Sequence, residues 1–296
     1  MIETIVGAEA VMDIAEPAAQ ELIKRVETVD VNVNGDSLPT TFARFSAAAK
    51  NKPKLVCLHG FDSSCLEFRR LAPLLTEYEV LVPDILGWGF SPLLDAAEQD
   101  FSPKAKMDHL SAFVKQISDG KPVAVLGASL GGALAITLAV DNPKLVDKVI
   151  LLDAQGFIDG KGPSDLPKPL ARLGVNVLKS TPLRMFANFI AYSNKKLATV
   201  DAMKIGRLHC LTDTWEDASV NFLLSGGFVV SDLVKQVSQD TLILWGRQDE
   251  ILPPETVGMF QEALPKAEVI YVEDCGHVPH LEQPSFTADA IRSFLK

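Results

Sequence analysis

The sequence has little cysteine, no surplus of basic residues and no long uninterrupted apolar run, and each shortage disfavours a class of protein. Its four cysteines match no C-x-x-C metal or redox pattern, which predicts reduced thiols in a reducing compartment. With 28 basic against 38 acidic side chains, it lacks the positive charge that proteins use to bind nucleic acid. The most apolar stretch, residues 123–140, is short and rich in glycine for a membrane span. We therefore expect neither nucleic-acid binding nor a membrane span.

The first residues also lack the features of a targeting segment. Residues 1–27 contain six acidic and two basic side chains, the opposite of a signal or transit peptide. We expect a soluble cytoplasmic protein, or one in an organelle lumen or stroma if the chain is a processed form. An apolar helical face in this segment is formed by Val11, Ile14, Ala18, Leu22 and Ile23. We expect this face to pack on the core rather than on a partner subunit.

What the chain does contain is an alternation of short apolar runs with longer helix-like segments. Eight runs have the length and composition of strands, at residues 29–33, 41–46, 55–59, 80–83, 123–126, 149–153, 242–246 and 269–272. Asn34-Gly35, between the first two runs, is a hairpin signal. The alternation predicts an α/β fold with a mostly parallel eight-stranded sheet and helices on both faces.

Helix-like stretches separate these runs, at residues 64–76, 103–118, 130–140, 254–264 and 284–295. Residues 157–230 break the alternation, because they hold several helix-like pieces and no clear strand. We interpret this stretch as a helical cap inserted between the sixth and seventh strands. The chain then divides into an N-terminal helical extension (1–28), a core (29–156 and 231–296) and the cap (157–230).

The strongest chemical signal is Gly127-Ala128-Ser129-Leu130-Gly131, which follows a predicted strand and begins a predicted helix. Small residues around Ser129 allow the sharp strand-to-helix turn of a nucleophile elbow (G-x-S-x-G), which exposes the serine hydroxyl. The free N–H groups at a helix start favour the oxyanion that forms when a serine attacks a carbonyl. Ser129 is therefore the predicted nucleophile.

A serine hydroxyl needs a base, and the chain has only five histidines. His277 follows the last predicted strand, and Gly276 before it gives the ring room to project. We predict that His277 is the base, with His280 as the alternative. The other three are expected to have other roles: His59 in the structure of its own loop, His109 on a surface helix and His209 in the cap.

A carboxylate must orient that histidine, and two strand ends offer one. Asp249 follows the seventh strand in Trp245-Gly246-Arg247-Gln248-Asp249, and the order Ser, Asp, His is the expected one. Asp153 at the end of the sixth strand is the alternative acid. Asp84, at the end of the fourth strand, is expected to brace the loop 87–91 instead.

Two backbone N–H groups are predicted to form an oxyanion hole. One belongs to Leu130, the residue after the nucleophile. The other is expected from the loop after the third strand, His59-Gly60-Phe61-Asp62, and is assigned to Phe61.

Together these pieces resemble the α/β-hydrolase superfamily over nearly all of the chain from about residue 30. The matching segments are HGFDSS (59–64), PDILGWGFS (83–91), GASLGG (127–132), WGRQDEILP (245–253) and CGHVPHLEQP (275–284). The resemblance implies an ester-hydrolase-like reaction under a helical cap, without a cofactor or a metal. It says less about the substrate, because one fold hosts many functions.

Branches of the superfamily can be compared residue by residue. Ser129 argues against dehalogenase-like and epoxide-hydrolase-like members, which use aspartate at the elbow, and Gly60-Phe61-Asp62 stands where proline-iminopeptidase-like members usually have Gly-Gly-Pro. Hydrolases that cleave C–C bonds of ring-fission products are similar, but tend to carry tryptophan where this chain has Val278. We expect a carboxylic ester hydrolase that forms an acyl-enzyme, with a C–C bond hydrolase and a slow-turnover ligand receptor as alternatives.

The substrate is expected between sheet and cap, as a small to medium ester with an apolar acyl or aromatic part. The predicted substrate-binding residues are Trp88, Phe157, Phe186, Phe222 and Val278. The cap carries nine basic and six acidic residues, a charge of +3 against −13 for the rest of the chain. This contrast reflects a solvated cap surface or a preference for anionic acyl substrates. The sequence leaves the substrate's identity and a homo-oligomer open.

Overall fold

The computed structural model describes residues 1–46, 52–92 and 99–296. Residues 47–51 and 93–98, which fall within the predicted core 29–156, lie outside the described residues. Within the described ranges, no helix has the length and apolar character that a membrane crossing requires.

Eight strands form a single sheet, as predicted. They are β1 (Val26–Val33), β2 (Asp36–Phe45), β3 (Lys54–Leu58), β4 (Glu79–Pro83), β5 (Val123–Ala128), β6 (Val146–Leu152), β7 (Asp240–Gly246) and β8 (Glu268–Val272). Their order across the sheet is β1-β2-β4-β3-β5-β6-β7-β8. The first two strands form an antiparallel hairpin and β2 runs antiparallel to β4, whereas all other neighbours are parallel. The carboxyl ends of the parallel strands therefore meet at one edge.

The central strands have apolar side chains at nearly every position because both of their faces are covered. In β3, Val56 and Leu58 join one hydrophobic cluster, while Leu55 and Cys57 join the cluster on the opposite face. The edge strand β1 alternates instead between buried and exposed residues. Two cores, one on each side, thus hold the sheet rigid at the edge where the loops begin.

The described residues contain thirteen α-helices. They are α1 (Ile2–Val6), α2 (Ala8–Met12), α3 (Pro17–Ile23), α4 (Pro103–Ile117), α5 (Leu130–Asp141), α6 (Lys168–Leu178), α7 (Thr181–Ala191), α8 (Val200–Arg207), α9 (Trp215–Ser225), α10 (Ser231–Val234), α11 (Thr256–Ala263), α12 (Pro279–Glu282) and α13 (Pro284–Leu295). Between β6 and α10 the described residues form helices and no strand. This is the stretch predicted to be the cap.

Two predictions about this layer need correction. The segment 64–76 is not one helix but two short 3₁₀ helices, Cys65–Phe68 and Ala72–Leu74, since Pro73 lacks an N–H and restricts the residue before it. His109 on α4 is buried rather than at the surface, with Nε2 2.7 Å from Oγ1 of Thr40. Burial and the nearby Lys106 lower the pKa of His109 to about 4, so its ring is neutral.

The N-terminal extension packs on the core, as expected. Ile14 and Leu22 are buried in the hydrophobic cluster on one face of the sheet. Glu16 forms ion pairs with Arg69 and Arg70 from the segment after β3. The Asp201 carboxylate on α8 accepts hydrogen bonds from the backbone N–H groups of residues 15 and 16 at 2.8 Å. The extension therefore ties the cap to the core.

Candidate active site

Ser129 occupies a constrained turn between β5 and α5. Its backbone has φ 51° and ψ −121°, a conformation that a residue with a side chain adopts only when its surroundings impose it. A Cβ on Gly127 would lie 2.1 Å from the Gly131 carbonyl oxygen, and one on Gly131 would lie 2.1 Å from that of Leu58. The flanking glycines are thus required by close backbone packing, and the turn places Ser129 in the wall of a cavity.

His277 and Asp249 come from the loops after β8 and β7. Asp249 Oδ2 lies 2.9 Å from His277 Nδ1, while Asp249 Oδ1 accepts the backbone N–H groups of Ile251 at 2.7 Å and Leu252 at 3.2 Å. Burial raises the pKa of Asp249, but the hydrogen bond and charge of His277 outweigh it and bring the pKa below its ordinary value. Asp249 is therefore ionised, and Nε2 is the nitrogen of His277 that remains for chemistry.

Asp153, the alternative acid, lies behind this pair. It is fully buried at the end of β6, and its Oδ1 accepts the Gly246 N–H at 2.9 Å. Burial and the charge of Asp249 raise the pKa of Asp153 well above its ordinary value. The structure thus places Asp249 on His277, and it places Asp153 beside Asp249 in surroundings that favour the protonated form of Asp153.

The loop that carries His277 is fastened to the cap. The His277 N–H donates to the Ala191 carbonyl at the end of α7 at 2.8 Å. The Glu282 carboxylate accepts the N–H groups of Gly276 at 2.8 Å and Ser193 at 3.0 Å. The sequence reasoning missed Glu282, although an acidic residue in the short apolar helix after His277 was a signal for it. This carboxylate fixes the position of the histidine loop against the cap.

The loop after β3 runs beside the nucleophile. A Cβ on Gly60 would lie 3.3 Å from the Ser129 Cβ, and the Gly60 N–H donates to Glu67 Oε2 at 3.0 Å. The exposed Phe61 ring lies in the cavity wall. Leu130 is the first residue of α5. Phe61 and Ser129 thus line the same cavity, and Leu130 directly follows Ser129 in the chain.

A buried charged cluster below this loop joins it to the cap, and the sequence reasoning missed it. The Asp62 carboxylate accepts from Trp215 Nε1 at 2.6 Å, lies 2.9 Å from His209 Nε2, and pairs with Arg184 of α7. Burial opposes the charged form, but the hydrogen bonds and charges of His209 and Arg184 hold the pKa of Asp62 at about 2. Burial lowers the pKa of His209, but Cys210 and Asp62 outweigh it and raise that pKa to about 9. The cluster is therefore an ion-pair network at neutral pH.

The remaining candidates have structural roles. His59 Nε2 accepts the Ile85 N–H at 3.0 Å, and its Nδ1 lies 2.9 Å from the Gly60 carbonyl, as expected for a loop-building residue. His280, the alternative base, is buried with Nε2 3.2 Å from Glu67 Oε1 and does not line the cavity. Asp84 accepts the Phe90 N–H at 2.9 Å and so braces the loop 87–91, as predicted.

A cavity of about 360 Å³ lies between these loops and helices α7 and α8 of the cap. Ser129 and His277 share its wall with mainly apolar residues. Among these are Leu178, Leu183, Ala187, Ala191, Tyr192, Met203, Ile205, Val278 and Leu281. Its charged lining residues are internally paired, Arg184 with Asp62 and Arg69 with Glu16. The cavity is thus mainly apolar, and its wall contains Ser129 and His277.

Of the predicted substrate-binding residues, Val278 lines this cavity and the four aromatic ones do not. Trp88 and Phe222 are buried and pack edge to face, 5.0 Å apart, and both contact the back of Phe61. Phe157 packs on Phe260 at 5.0 Å. Phe186 is mostly exposed. Trp88 and Phe222 therefore support a loop that lines the cavity, whereas Phe157 packs against α11.

In each of two groups of side chains, three possible metal-ligand atoms lie within 4.8 Å of one another. One group is Asp62, His209 and Cys210, and the other is Asp153, Asp249 and His277. In the first group the Arg184 guanidinium pairs with the aspartate and would repel a cation. In the second group the Asp249 oxygens already accept hydrogen bonds from His277 and from two backbone N–H groups. Both groups therefore fit hydrogen-bonded networks better than metal sites.

Comparison with known proteins agrees with this geometry. Residues 55–290 match the profile of the Alpha/beta hydrolase family. The Alpha/beta hydrolase domain-containing protein VTE7 of Arabidopsis thaliana is 35% identical over 293 residues, which cover 96% of this chain and 88% of that protein. Lipase 1 of Psychrobacter immobilis is 29% identical over 255 residues, 81% of this chain and 76% of that protein.

Among solved structures, a thermophilic esterase from Thermogutta terrifontis has the same fold, with a TM-score of 0.74 at 20% identity over 91% of this chain and 98% of that one. The relatives include lipase-type and esterase-type hydrolases. With a family match over residues 55–290 and a relative 35% identical across nearly its whole length, this protein belongs to the alpha/beta hydrolase family.

Proposed function

We propose that this protein is a serine hydrolase that cleaves a carboxylic ester, or a related acyl bond, through an acyl-enzyme. The observation that carries the proposal is that His277, hydrogen-bonded to Asp249, lines the same cavity as Ser129 on its strained turn. A nucleophile, a base and an oriented acid on one cavity are the parts that acyl transfer needs.

Each residue has a role in two successive steps. Ser129 Oγ attacks the acyl carbonyl while His277 Nε2 takes its proton, and the Asp249 carboxylate stabilises the imidazolium that forms. The N–H groups of Leu130 and Phe61 hold the oxyanion. His277 then protonates the leaving alcohol, and afterwards takes a proton from the water that hydrolyses the acyl-enzyme. Ser129 is regenerated without a cofactor.

The proposed substrate is an uncharged ester with a small to medium apolar acyl group. A cavity of about 360 Å³ with apolar walls favours such a group. The paired state of Arg184 and Arg69 leaves no unpaired cation among the described cavity residues to select an anionic acyl group. We therefore expect the positive charge of the cap not to select anionic substrates at this site.

The test compares Ser129→Ala with Ser111→Ala, an alteration of the same kind on α4 that is remote from the cavity. We expect Ser129→Ala to reduce hydrolysis of p-nitrophenyl esters by about 10³-fold or more and to abolish labelling by a fluorophosphonate. Ser111→Ala should keep both. Labelling of the Ser129→Ala protein at its former level would refute the assignment of the nucleophile.

Substrate panels separate the alternatives. A series of p-nitrophenyl esters of increasing acyl length should show steady-state turnover that declines once the acyl group exceeds the cavity. Turnover of a ring-fission dienoate without turnover of esters would identify a C–C bond hydrolase instead. A single acylation burst with negligible steady-state turnover would identify a slow-turnover receptor.

A further inference from the structure

The cap exposes an unusual share of the apolar surface. Ten of the sixteen large apolar side chains that are exposed in the described part of the chain belong to residues 157–230. Five of them lie on the neighbouring helices α6 and α7, and we call this set the outer cap face: Leu170, Leu173, Val177, Phe186 and Phe189. Exposed apolar side chains concentrated on one part of a protein usually mark an interaction site.

Helical geometry shows that this face points away from everything the two helices pack against. α6 buries only Ala171 and Val175, one turn apart, and Leu173 and Val177 lie on the other side of the helix, 64% and 53% exposed. On α7, Leu183 and Ala187 line the cavity, while Phe189 is displaced by about half a turn and is 49% exposed. Neither core packing nor the cavity explains these apolar residues.

The charge around the outer cap face differs from that of the rest of the chain. Residues 166–200 contain six basic side chains and no acidic one, in a protein with a net charge of −10. Lys195 Nζ lies 4.8 Å above the ring of Phe189, so basic and apolar groups are interleaved on the same surface. Three of these basic residues are paired with acidic ones: Arg172 with two residues of α9, Arg184 with Asp62, and Lys195 with Glu250 at 3.4 Å.

We propose that the outer cap face docks on the surface of a lipid bilayer with anionic headgroups. An amphipathic surface with large apolar side chains and flanking lysines is the kind that inserts at the boundary between headgroups and acyl chains. A second copy of this chain fits less well, because a two-fold contact through this face would bring two basic segments together. The docking does not depend on the proposed ester hydrolysis.

The experiment measures flotation of the full-length protein with vesicles of phosphatidylcholine alone or mixed with phosphatidylglycerol. We expect binding to the mixed vesicles, weakening as salt is raised, and little binding to phosphatidylcholine alone. The variant Leu173→Ser/Val177→Ser/Phe189→Ser should lose at least about tenfold in partitioning. Replacement of two exposed lysines, Lys168→Ala/Lys196→Ala, should weaken binding roughly 30-fold at low salt.

A matched control changes equally exposed apolar residues elsewhere. Met259→Ser/Phe286→Ser alters side chains that are 42% and 47% exposed on α11 and α13, and should bind vesicles as the unaltered protein does. Circular dichroism and p-nitrophenyl ester hydrolysis establish that each variant is folded, independently of membrane binding. Failure of the unaltered protein to float with anionic vesicles would overturn the proposal. So would a dimer that dissociates only in the triple variant, because it would assign the face to a second copy.

Discussion

Replacing Asp249 and Asp153 by asparagine, one at a time, distinguishes the two buried carboxyls by their charge. Asp249→Asn removes the carboxylate that faces His277 Nδ1 at 2.9 Å, and its amide group can hold the ring in the wrong tautomer. We expect kcat for ester hydrolysis to fall by about 10⁴-fold, which corresponds to roughly 5 kcal/mol of lost transition-state stabilisation.

Asp153→Asn is expected to be nearly silent, because the surroundings of Asp153 favour its uncharged form. Burial and the nearby Asp249 raise its pKa well above the ordinary value. An asparagine has the same shape, and its carbonyl oxygen can still accept the Gly246 N–H that Asp153 accepts at 2.9 Å. We expect kcat within about threefold of the unaltered enzyme. Asp153→Ala, which leaves that buried N–H without an acceptor, should instead cost about 1–3 kcal/mol of stability.

The assay is steady-state hydrolysis of p-nitrophenyl butyrate by both variants between about pH 5 and pH 9, with circular dichroism to verify folding. A folded Asp153→Asn protein that loses as much activity as Asp249→Asn would refute this reasoning. It would mean that Asp153 is ionised in the working enzyme. The negative charge that stabilises the histidine would then be shared with Asp153 at the end of the sixth strand, or supplied by it.

Two glycine substitutions should have opposite effects on the free energy of unfolding. Gly131→Ala places a methyl group 2.1 Å from the Leu58 carbonyl oxygen and should lower the free energy of unfolding by about 1–3 kcal/mol. Gly174→Ala in α6 meets open space and should raise the free energy of unfolding by about 1 kcal/mol. Urea unfolding that ranks the two variants the other way would contradict the elbow packing. The pH dependence of Tm should report the cluster of Asp62 and His209. The pKa of His209, about 9 against an ordinary 6.5, means that its contribution to stability is complete below pH 6.5 and lost as the pH rises through 9. The pKa of Asp62, about 2 against an ordinary 3.8, means that its contribution is complete above pH 3.8 and lost as the pH falls towards 2. Asp62→Asn should therefore flatten the Tm profile at both ends, and an unchanged profile would contradict the pairing.

The strands could be predicted because their apolar runs are local properties of the chain. β3 and β5 are buried on both faces, so nearly every residue in them had to be apolar. The error in the segment 64–76 was also local, since Pro73 was visible as a helix breaker and was not given enough weight.

Four of the predicted substrate-binding residues lie outside the lining of the Ser129 cavity, for a different reason. Trp88, Phe157 and Phe222 were proposed for their size and apolar character, but a sequence does not show which side of a loop or helix meets the cavity. The same holds for His109. The pattern of its helix predicts an exposed position, but His109 packs against Thr40 of β2. Which side of a helix or loop is covered depends on distant segments of the chain, and it is defined only when those segments pack together.

The sequence by itself determined the fold class, the elbow that carries Ser129 and the loop that carries His277, because each depends on neighbouring residues whose geometry and size are written locally. Only the tertiary structure places Asp249, and not Asp153, on His277, because both aspartates follow neighbouring strands of the sheet and both are chemically suitable. The pairing of β6 with β7 buries Asp153 against Asp249, and the backbone N–H groups of residues 251 and 252 hold Asp249 ionised on the histidine. Which carboxyl keeps its charge is set by burial and by donors from other parts of the chain, and these exist only in the folded protein.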